Sequence, residues 1–393
     1  MLERLSRGRI PAAPHTQLRA EDGRLLYEHC ITRDGFDGPY TVAYHERRPH
    51  EAQPADEAPL HLPLADRQPE RLLRRHYTSP TGGSQLEPFP RHRTRLLENS
   101  DVALALALPT RSDAAYFANA DGDELYYVHA GSGTLRTLLG DISYRAGDYL
   151  YVPRALVHRF ILDSHTQHWL VLELRGTLGI PRSYRNGVGQ LRMDAPYSHR
   201  DFRAPNLPPP RDEGIRDLWL KTGSTLQKYV LPSSPLDVVG WDGSLYPFAL
   251  SIEAFNPKVG RVHLPPPVHA TFEASGVLIC SFVPRPLDFH EQAVSCPYPH
   301  SSVDVDEVLF YSRGNFTSRR GVGPGSISHH PRGIPHGPHP GAYEASIGAK
   351  HTDEVAVMLD CQKPLTRSAF AESLEDPSYH GSFVASAGSH STG

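Results

Sequence analysis

The fold is decided by residues 299–358, which read PHSSVDVDEVLFYSRGNFTSRRGVGPGSISHHPRGIPHGPHPGAYEASIGAKHTDEVAVM. Within this stretch His300, Glu307, His330 and His336 lie among glycines, prolines and short runs of β-forming residues. Several imidazoles and a carboxylate gathered in a few dozen residues of strand and turn are typical of a metal site. The sequence therefore predicts a metal-binding β-structure in this part of the chain.

An earlier stretch, around residues 116–160, has the same pattern of glutamate, glycine, proline and histidine residues. In each stretch the pattern begins with a glutamate and a glycine at the same interval. After a segment whose length differs between the two, a second glycine, a proline, a small residue and a histidine again follow at equal intervals. The first set is Glu124, Gly131, Gly147, Pro153, Ala155 and His158, and the second set is Glu307, Gly314, Gly325, Pro331, Gly333 and His336. Matched spacing in two halves of a chain indicates an internal repeat of one structural unit.

The paired pattern resembles the two signatures of the cupin barrel. The resemblance implies an all-β bicupin, with two jelly-roll or β-barrel domains and few short helices. We expect N-terminal strands and loops over 1–105, an N-terminal cupin lacking a complete metal site over 106–175, a connector over 176–224, a C-terminal metal-binding cupin over 225–362, and a short helix with a flexible tail over 363–393.

The cupin signatures supply two histidines and a glutamate to a metal, and these correspond here to His300, Glu307 and His336. Two imidazoles with one carboxylate form the facial triad of non-heme Fe(II) oxygenases, although Zn, Mn and Ni also accept such ligands. The first stretch has Phe117 and Asn119 where the earlier histidines would stand. We therefore expect the metal in the second cupin only.

Glu307 has two acidic neighbours, Asp304 and Asp306, as rival ligands. We favour Glu307 because it alone keeps the interval to the following glycine of the repeat. In a regular strand Glu307 and Tyr311 share one face, so both can point into the barrel. The odd spacing from His300 then requires a loop or bulge over the segment SSVDVD.

A narrower resemblance rests on PLDVVGWDGSLYPF (235–248), PYPHSS (297–302), HPRGIPHGPHPG (330–341) and ASIG (345–348). Together these motifs resemble homogentisate 1,2-dioxygenase and its bacterial relatives over most of 116–360. The resemblance implies a homo-oligomeric Fe(II) enzyme of tyrosine and phenylalanine catabolism. Such an enzyme opens the ring of homogentisate with O2 to give maleylacetoacetate, and its iron ligands correspond to His300, Glu307 and His336.

The same resemblance suggests the residues that handle the substrate. His330 stands where the family has a histidine near the substrate, whereas Asp242 and Phe316 stand where it has a catalytic histidine and a tyrosine. We assign proton handling to His330 or Asp242. The expected substrate-binding residues are His330, Tyr311, Arg313 and Phe316. Arg313 and Arg319 are candidate clamps for a substrate carboxylate.

The composition limits which classes of partner and which cell compartment we expect for the chain. The net charge is −4 and no dense Lys/Arg block occurs, which argues against nucleic acid or a membrane surface as the main partner. The N-terminus lacks the apolar run of a signal peptide, and no stretch approaches transmembrane length. The four cysteines are scattered without a CxxC pair, as expected of reduced thiols in a cytoplasmic protein.

Three alternatives remain open at this level. The triad also suits a metal-dependent cupin isomerase or decarboxylase that uses no O2, or a gentisate-like dioxygenase. A non-catalytic bicupin would keep the barrels without needing the triad. We favour a dioxygenase whose partners are a small aromatic substrate and O2.

Overall fold

A computed structural model describes residues 4–13, 16–32, 40–47, 53–54, 60–61, 71–80, 93–262, 264–291, 293–297, 300, 302–316, 318–319 and 321–383. Strands dominate it, and the prediction of an all-β fold is confirmed. The strands before residue 200 are β1 (Leu5–Gly8), β2 (Tyr27–Thr32), β3 (Tyr40–His45), β4 (Gln53–Pro54), β5 (Leu60–His61), β6 (Arg75–Tyr77), β7 (Arg93–Glu98), β8 (Val102–Ala107), β9 (Tyr116–Asn119), β10 (Asp123–Ala130), β11 (Ser132–Thr137), β12 (Gly140–Arg145), β13 (Asp148–Val152), β14 (His158–Leu162) and β15 (His168–Leu174).

The later strands are β16 (Phe202–Arg203), β17 (Arg216–Thr222), β18 (Thr225–Leu231), β19 (Val238–Gly243), β20 (Phe248–Ser251), β21 (Ala270–Ala274), β22 (Val277–Phe282), β23 (Arg285–Pro286), β24 (Asp306–Arg313), β25 (Ile327–His330), β26 (His351–Thr352), β27 (Val355–Cys361) and β28 (Thr366–Arg367). The α-helices are α1 (Ala342–Ala345) and α2 (Ala369–Leu374). Short 3-10 helices lie at Arg182–Tyr184, His199–Asp201, Ile252–Ala254, Pro266–His269 and Tyr379–Phe383. None of the described helices is long and apolar enough to span a membrane.

Two large sheets form the N-terminal half. One runs in the order β16-β20-β13-β10-β15-β8-β7-β28 and the other in the order β12-β11-β14-β9-β17-β18-β4. Strand β8, with the sequence VALALA, is buried at every position, whereas β11 and β12 bury alternate residues, as strands with one solvent-facing side do. The inner faces of both sheets enclose one core, in which Phe160 packs on Trp169 with ring centroids 4.6 Å apart.

Strands β17, β18 and β20 pair with this N-terminal half, and β19 joins a small sheet of order β1-β19-β3-β2. The sequence-based division had placed residues from 225 onward in the C-terminal cupin. Because hydrogen-bonded strands belong to one sheet, we propose that the N-terminal barrel extends to the 3-10 helix Ile252–Ala254.

The C-terminal half is built on a six-stranded sheet of order β21-β22-β27-β24-β25-β6. Its edge strand β6 comes from residues 75–77, far from the others in sequence. Alternate residues of β24 point to opposite sides. Val308 and Phe310 pack into the core shared with the N-terminal half, while Glu307, Leu309 and Tyr311 line a cavity. The shared face predicted for Glu307 and Tyr311 is confirmed.

The two halves are joined by a continuous core. The outer face of the sheet that contains β10 and β13 packs against the sheet that contains β22 and β24. Side-chain hydrogen bonds cross this contact, among them one from the Tyr127 hydroxyl to Ser312 Oγ at 2.7 Å and one between Tyr149 Oη and Ser281 Oγ at 2.8 Å. The halves therefore share buried apolar surface rather than meeting through a solvated hinge.

The internal repeat is visible in the backbone. Gly131 and Gly314 both have positive φ (106° and 91°). Ala155 is the one described non-glycine residue with positive φ, 61°, and its counterpart Gly333 has φ 77°. The Ala155 N–H donates to Asn119 O at 2.8 Å, and the Gly333 N–H donates to the equivalent Ser302 O at 2.7 Å. Equal spacing in the sequence thus reflects equal turns in the two halves.

Candidate metal centre

His300, Glu307 and His336 meet at one point of the C-terminal half. One ligand atom from each residue lies within 4.8 Å of the other two. The Nε2 atoms of His300 and His336 lie 3.7 and 3.6 Å from the two carboxylate oxygens of Glu307. Two imidazole nitrogens and a carboxylate facing a common centre are a ligand set for a divalent transition metal.

Different local structures bring these three side chains together. Glu307 is the second residue of β24, whereas residues 302–305 lie outside the strand, as its odd spacing from His300 required. His300 and His336 form an isolated antiparallel bridge, in which each backbone N–H donates to the other's carbonyl oxygen at 2.8 Å. This bridge holds both imidazoles on the same side of Glu307.

The acidic neighbours of Glu307 point elsewhere. Asp304 is exposed. The Asp306 carboxylate is buried on the opposite side of the strand, 3.2 Å from His329 Nε2, and accepts the backbone N–H of Leu365 at 2.9 Å. Glu307 therefore supplies the carboxylate of the cluster.

His336 shows that the cluster suits a metal ion. Its Nδ1 lies 3.0 Å from the carbonyl oxygen of Ile334, an acceptor only, so Nδ1 carries the proton and Nε2 keeps a free lone pair. This Nε2 is buried and has no hydrogen-bond partner among the residues the structure describes. A buried acceptor without a donor is costly, and a bound cation would satisfy it.

Glu307 is held in its ionised, metal-binding form. Burial acts to raise the pKa of its carboxyl, but the surrounding imidazoles outweigh burial and hold that pKa well below its usual value. Asp360 lies opposite Glu307 on the neighbouring strand β27. Burial and the negative charge of Glu307 raise the pKa of Asp360 to about 7.

His330 lies behind Glu307 rather than in the cavity. Its side chain is fully buried, with Nδ1 2.9 Å from Glu307 Oε1 and Nε2 3.3 Å from the hydroxyl of Tyr379. Burial lowers the pKa of His330 to about 3, so the ring is neutral. In that state Nδ1–H donates to Glu307, and the Tyr379 hydroxyl donates to Nε2. Sequence reasoning did not identify Tyr379, because nothing near it repeats the motif.

A cavity of about 430 Å³ opens onto the cluster. The residues of interest on its wall are His300, Glu307, Tyr311, Phe316 and Arg319. The rings of Tyr311 and Phe316 meet edge to face at 4.8 Å, and Tyr311 Oη lies 3.0 Å from Ser328 Oγ. The cavity volume falls in the range of small-molecule sites.

Arg319 is an unusual residue in this wall. It donates from Nη1 to the carbonyl oxygen of Gly337, while its buried Nε has no hydrogen-bond partner among the described residues. No described carboxylate forms an ion pair with it, although a buried guanidinium is normally paired. Arg319 therefore brings a positive charge with a free Nε–H to the cavity that His300 and Glu307 also line.

Two of the predicted site residues lie elsewhere. Arg313 forms an ion pair with Glu253 in which both side chains are more than half exposed, and it does not line the cavity. Asp242 lies on β19, where it pairs with Arg4 and accepts a hydrogen bond from Ser6 at 2.8 Å. The structure does not bring Asp242 to the metal ligands.

The N-terminal half has a different centre at the equivalent place. Glu124 Oε2 lies 3.7 Å from His158 Nε2, matching the second half, but Phe117 bridges to His158 where His300 bridges to His336. The guanidinium of Arg93 donates to both carboxylate oxygens of Glu124, at 2.7 and 3.0 Å. A guanidinium thus supplies the positive charge beside this glutamate.

The fold and site define an all-β protein with a cluster of two histidines and one carboxylate that could hold a metal ion. Residues 98–252 match the family model described as homogentisate 1,2-dioxygenase N-terminal. A Saccharolobus solfataricus protein named putative dioxygenase is 35% identical over 95% of this chain and 96% of its own length. The homogentisate 1,2-dioxygenase of Bradyrhizobium diazoefficiens is 27% identical over 66% of this chain, a match that spans 61% of that enzyme.

Among solved structures, a cupin 2 conserved barrel domain protein from Leptotrichia buccalis is similar with a TM-score of 0.32 and 12% identity, over 69% of this chain and 88% of that one. From the sequence relatives, the chain belongs to the homogentisate 1,2-dioxygenase family. It is an oxidoreductase that incorporates oxygen, and the His/Glu cluster can hold the metal that a dioxygenase of this family requires.

Proposed function

We propose that this chain is an Fe(II)-dependent ring-cleaving dioxygenase of aromatic catabolism that acts on homogentisate, giving maleylacetoacetate, or on a related hydroquinone-type phenol bearing a carboxylate. The observation that carries the proposal is one cavity lined by His300 and Glu307 of the cluster and by Arg319, whose buried Nε has no hydrogen-bond partner among the described residues. The cluster offers three protein ligands, which leaves positions for substrate and O2.

Arg319 supports an acidic substrate. A buried donor without an acceptor is costly, and a carboxylate that enters the cavity would satisfy the free Nε–H of Arg319 with a charge-assisted hydrogen bond. We assign Arg319 as the clamp for the substrate carboxylate, in preference to Arg313. Phe316 and Tyr311 form an apolar and aromatic wall against which the substrate ring can pack.

The bound iron would supply a site where a phenolate oxygen and O2 lie side by side and exchange electrons. His330 keeps Glu307 oriented through its Nδ1–H, and Tyr379 fixes the tautomer of His330. We therefore assign His330 a positioning role rather than contact with the substrate. Asp242, held by Arg4 and Ser6 outside the cavity, has no part in this proposal.

We further propose that the protein works as a cytoplasmic homo-oligomer. The support for the compartment is that all four cysteines are free thiols, three of them buried. The support for an oligomer is family membership.

Oxygen uptake after anaerobic Fe(II) loading tests the function. Homogentisate, gentisate and unsubstituted hydroquinone would be compared, with the ring-opened product followed by its absorbance. We expect uptake with the acidic substrates, and a raised KM for them in Arg319→Gln. Conversion without oxygen consumption would identify an isomerase or decarboxylase, and no uptake with any of the three would overturn the proposal.

A further inference from the structure

A second cavity, of about 630 Å³, lies between the two halves of the molecule. Its walls include the N-terminal sheet through Tyr151 and Phe248, the segment 177–185, residues 244–246, and strand β21 through Phe272. It shares no lining residue with the cavity at the metal centre. Clefts of this size between packed units are common places for small ligands.

Aromatic rings make one side of this cavity. The rings of Tyr151 and Phe248 lie 4.8 Å apart at an interplanar angle of 32°, and Phe248 lies 6.0 Å from Phe272. Leu178 and Ile180, both buried, continue the apolar surface. Such a wall offers a flat ligand ring both apolar contact and offset aromatic stacking.

Arg185 supplies the polar side. Its Nη2 lies 3.4 Å from Glu273 Oε1, and the same oxygen already accepts the backbone N–H of Arg182 at 3.0 Å. The Nε of Arg185 is buried and has no hydrogen-bond partner among the residues described. The guanidinium that lines this cavity therefore keeps an unused donor, and Nε together with a terminal nitrogen forms the fork that fits a carboxylate.

The charge balance favours an anion. Arg182 and Arg185 both line the cavity against the single carboxylate of Glu273, and Arg182 is exposed at its edge. We propose that this cavity is a second ligand site, which binds a small aromatic carboxylate with its ring on the Tyr151–Phe248–Phe272 wall and its carboxylate on Arg185. The site is separate from the metal centre and does not depend on the proposed reaction.

Binding of 4-fluorophenylacetate to the full-length, metal-free protein, followed by fluorine NMR, tests this site. The uncharged 4-fluorophenylacetamide serves as a matched probe of the same shape. In Arg185→Gln the dissociation constant for the acid should rise about tenfold or more, as expected for the loss of a charge-assisted hydrogen bond, with less than about a twofold change for the amide.

Two further variants make the result specific. Arg192→Gln removes an exposed arginine that follows this segment in the chain, is paired with Asp194 and lies outside the cavity, and this variant should bind the acid as wild type does. Arg319→Gln removes the cation of the metal-centre cavity and should leave the Arg185-dependent binding intact. Binding lost in Arg319→Gln alone, or unchanged in Arg185→Gln, would overturn the proposal.

A third outcome is expected if another copy of the chain covers this cavity in solution. Wild-type protein that binds neither probe would also overturn the proposal, and a change of oligomeric state in Arg185→Gln, measured by light scattering, would then identify the cavity as a contact between copies of the chain.

Discussion

Glu307 lies within 4 Å of three imidazoles and is the only acidic side chain of the metal cluster. Replacing it by alanine should remove one of three protein ligands and leave the histidines without the negative charge that balances the ion. We expect Glu307→Ala to purify without stoichiometric metal, measured by elemental analysis, and to be inactive.

The neighbouring acid Asp304 provides the control for this experiment. Asp304 is exposed and outside the cluster, so Asp304→Ala should keep its metal. Metal retained in Glu307→Ala would contradict the assignment and direct attention to Asp306 or Asp360.

Tyr379 is connected to the candidate metal cluster through His330. Its hydroxyl reaches His330 Nε2 at 3.3 Å, and His330 in turn donates to Glu307. We expect Tyr379→Phe to weaken metal affinity about tenfold or more in a chelator competition, because partners of ligating groups commonly matter to that extent.

The same substitution, tyrosine to phenylalanine, can be made far from the candidate metal cluster. Tyr144→Phe deletes a buried hydroxyl, 3.4 Å from Gln167, in the N-terminal core. This variant should keep wild-type metal affinity. Equal affinities in Tyr379→Phe and Tyr144→Phe would show that the Tyr379–His330 contact does not support the site.

At the level of single elements, the turn before each second histidine is the clearest repeat. Ala155 carries a left-handed φ of 61°, which its counterpart Gly333 adopts at 77° without a side chain. Ala155→Gly should raise the free energy of unfolding by about 0.5–1 kcal/mol, because relief of strain exceeds the added freedom of the unfolded chain.

Gly333→Ala makes the reverse substitution at the equivalent position of the second turn. An added Cβ would meet no atom of the described residues within 4 Å, so backbone strain is the main change, and we expect a loss of about 1 kcal/mol in urea unfolding. Destabilisation by Ala155→Gly would contradict the equivalence of the two turns.

Strand β7 carries the cation of the N-terminal centre. Arg93 neutralises the buried carboxylate of Glu124, so Arg93→Met should lower the free energy of unfolding by about 3–5 kcal/mol in denaturant titrations. The double variant Arg93→Met with Glu124→Gln should recover part of this loss, since no lone charge remains. Arg95→Met, which breaks a partly exposed pair with Glu98, should cost much less.

The Glu124–Arg93 pair also predicts a pH dependence. Burial opposes ionisation of Glu124, but Arg93 outweighs it and lowers the pKa of this carboxyl from 4.5 to about 2. A carboxyl with a depressed pKa stabilises the fold above the unfolded value and loses this effect as the pH falls through the folded value. The stability difference between wild type and Glu124→Gln should therefore be constant above about pH 5 and shrink towards pH 2.

At the scale of the whole molecule, the two halves share one core and exchange strands. Strand β6 of the N-terminal region completes the C-terminal sheet, and β28 of the C-terminal region pairs with β7. We expect one cooperative thermal transition, with calorimetric and van't Hoff enthalpies in agreement.

Natural probes report on each half separately. The three tryptophans, Trp169, Trp219 and Trp241, all lie in the N-terminal half, whereas metal release reports on the C-terminal cluster. Loss of tryptophan signal and of metal should coincide during thermal unfolding. Separate midpoints would show that the halves unfold independently.

Much of the site could be predicted from the sequence. The resemblance to the cupin signatures implied His300, Glu307 and His336, and the spacing to Gly314 favoured Glu307 over its acidic neighbours. The structure places these three side chains together. The sequence could not predict that Asp242 and Arg313 lie outside the cavity. A family motif identifies a residue type at a position, but it does not determine the direction in which the side chain points from its strand. The division between the halves depended on which strands hydrogen-bond to each other, and local sequence patterns do not predict the pairing partner of a strand.

The sequence by itself determined the all-β class and the internal repeat, because turn glycines, prolines and strand alternation are local constraints that keep their spacing. Together with the resemblance to the cupin signatures, it predicted the candidate metal cluster. Only the tertiary structure decided that Tyr379 supports His330, that Arg93 neutralises Glu124, and that the guanidinium of Arg319 enters the metal-centre cavity. These contacts join elements distant in the chain, and their geometry arises from the packing of whole sheets.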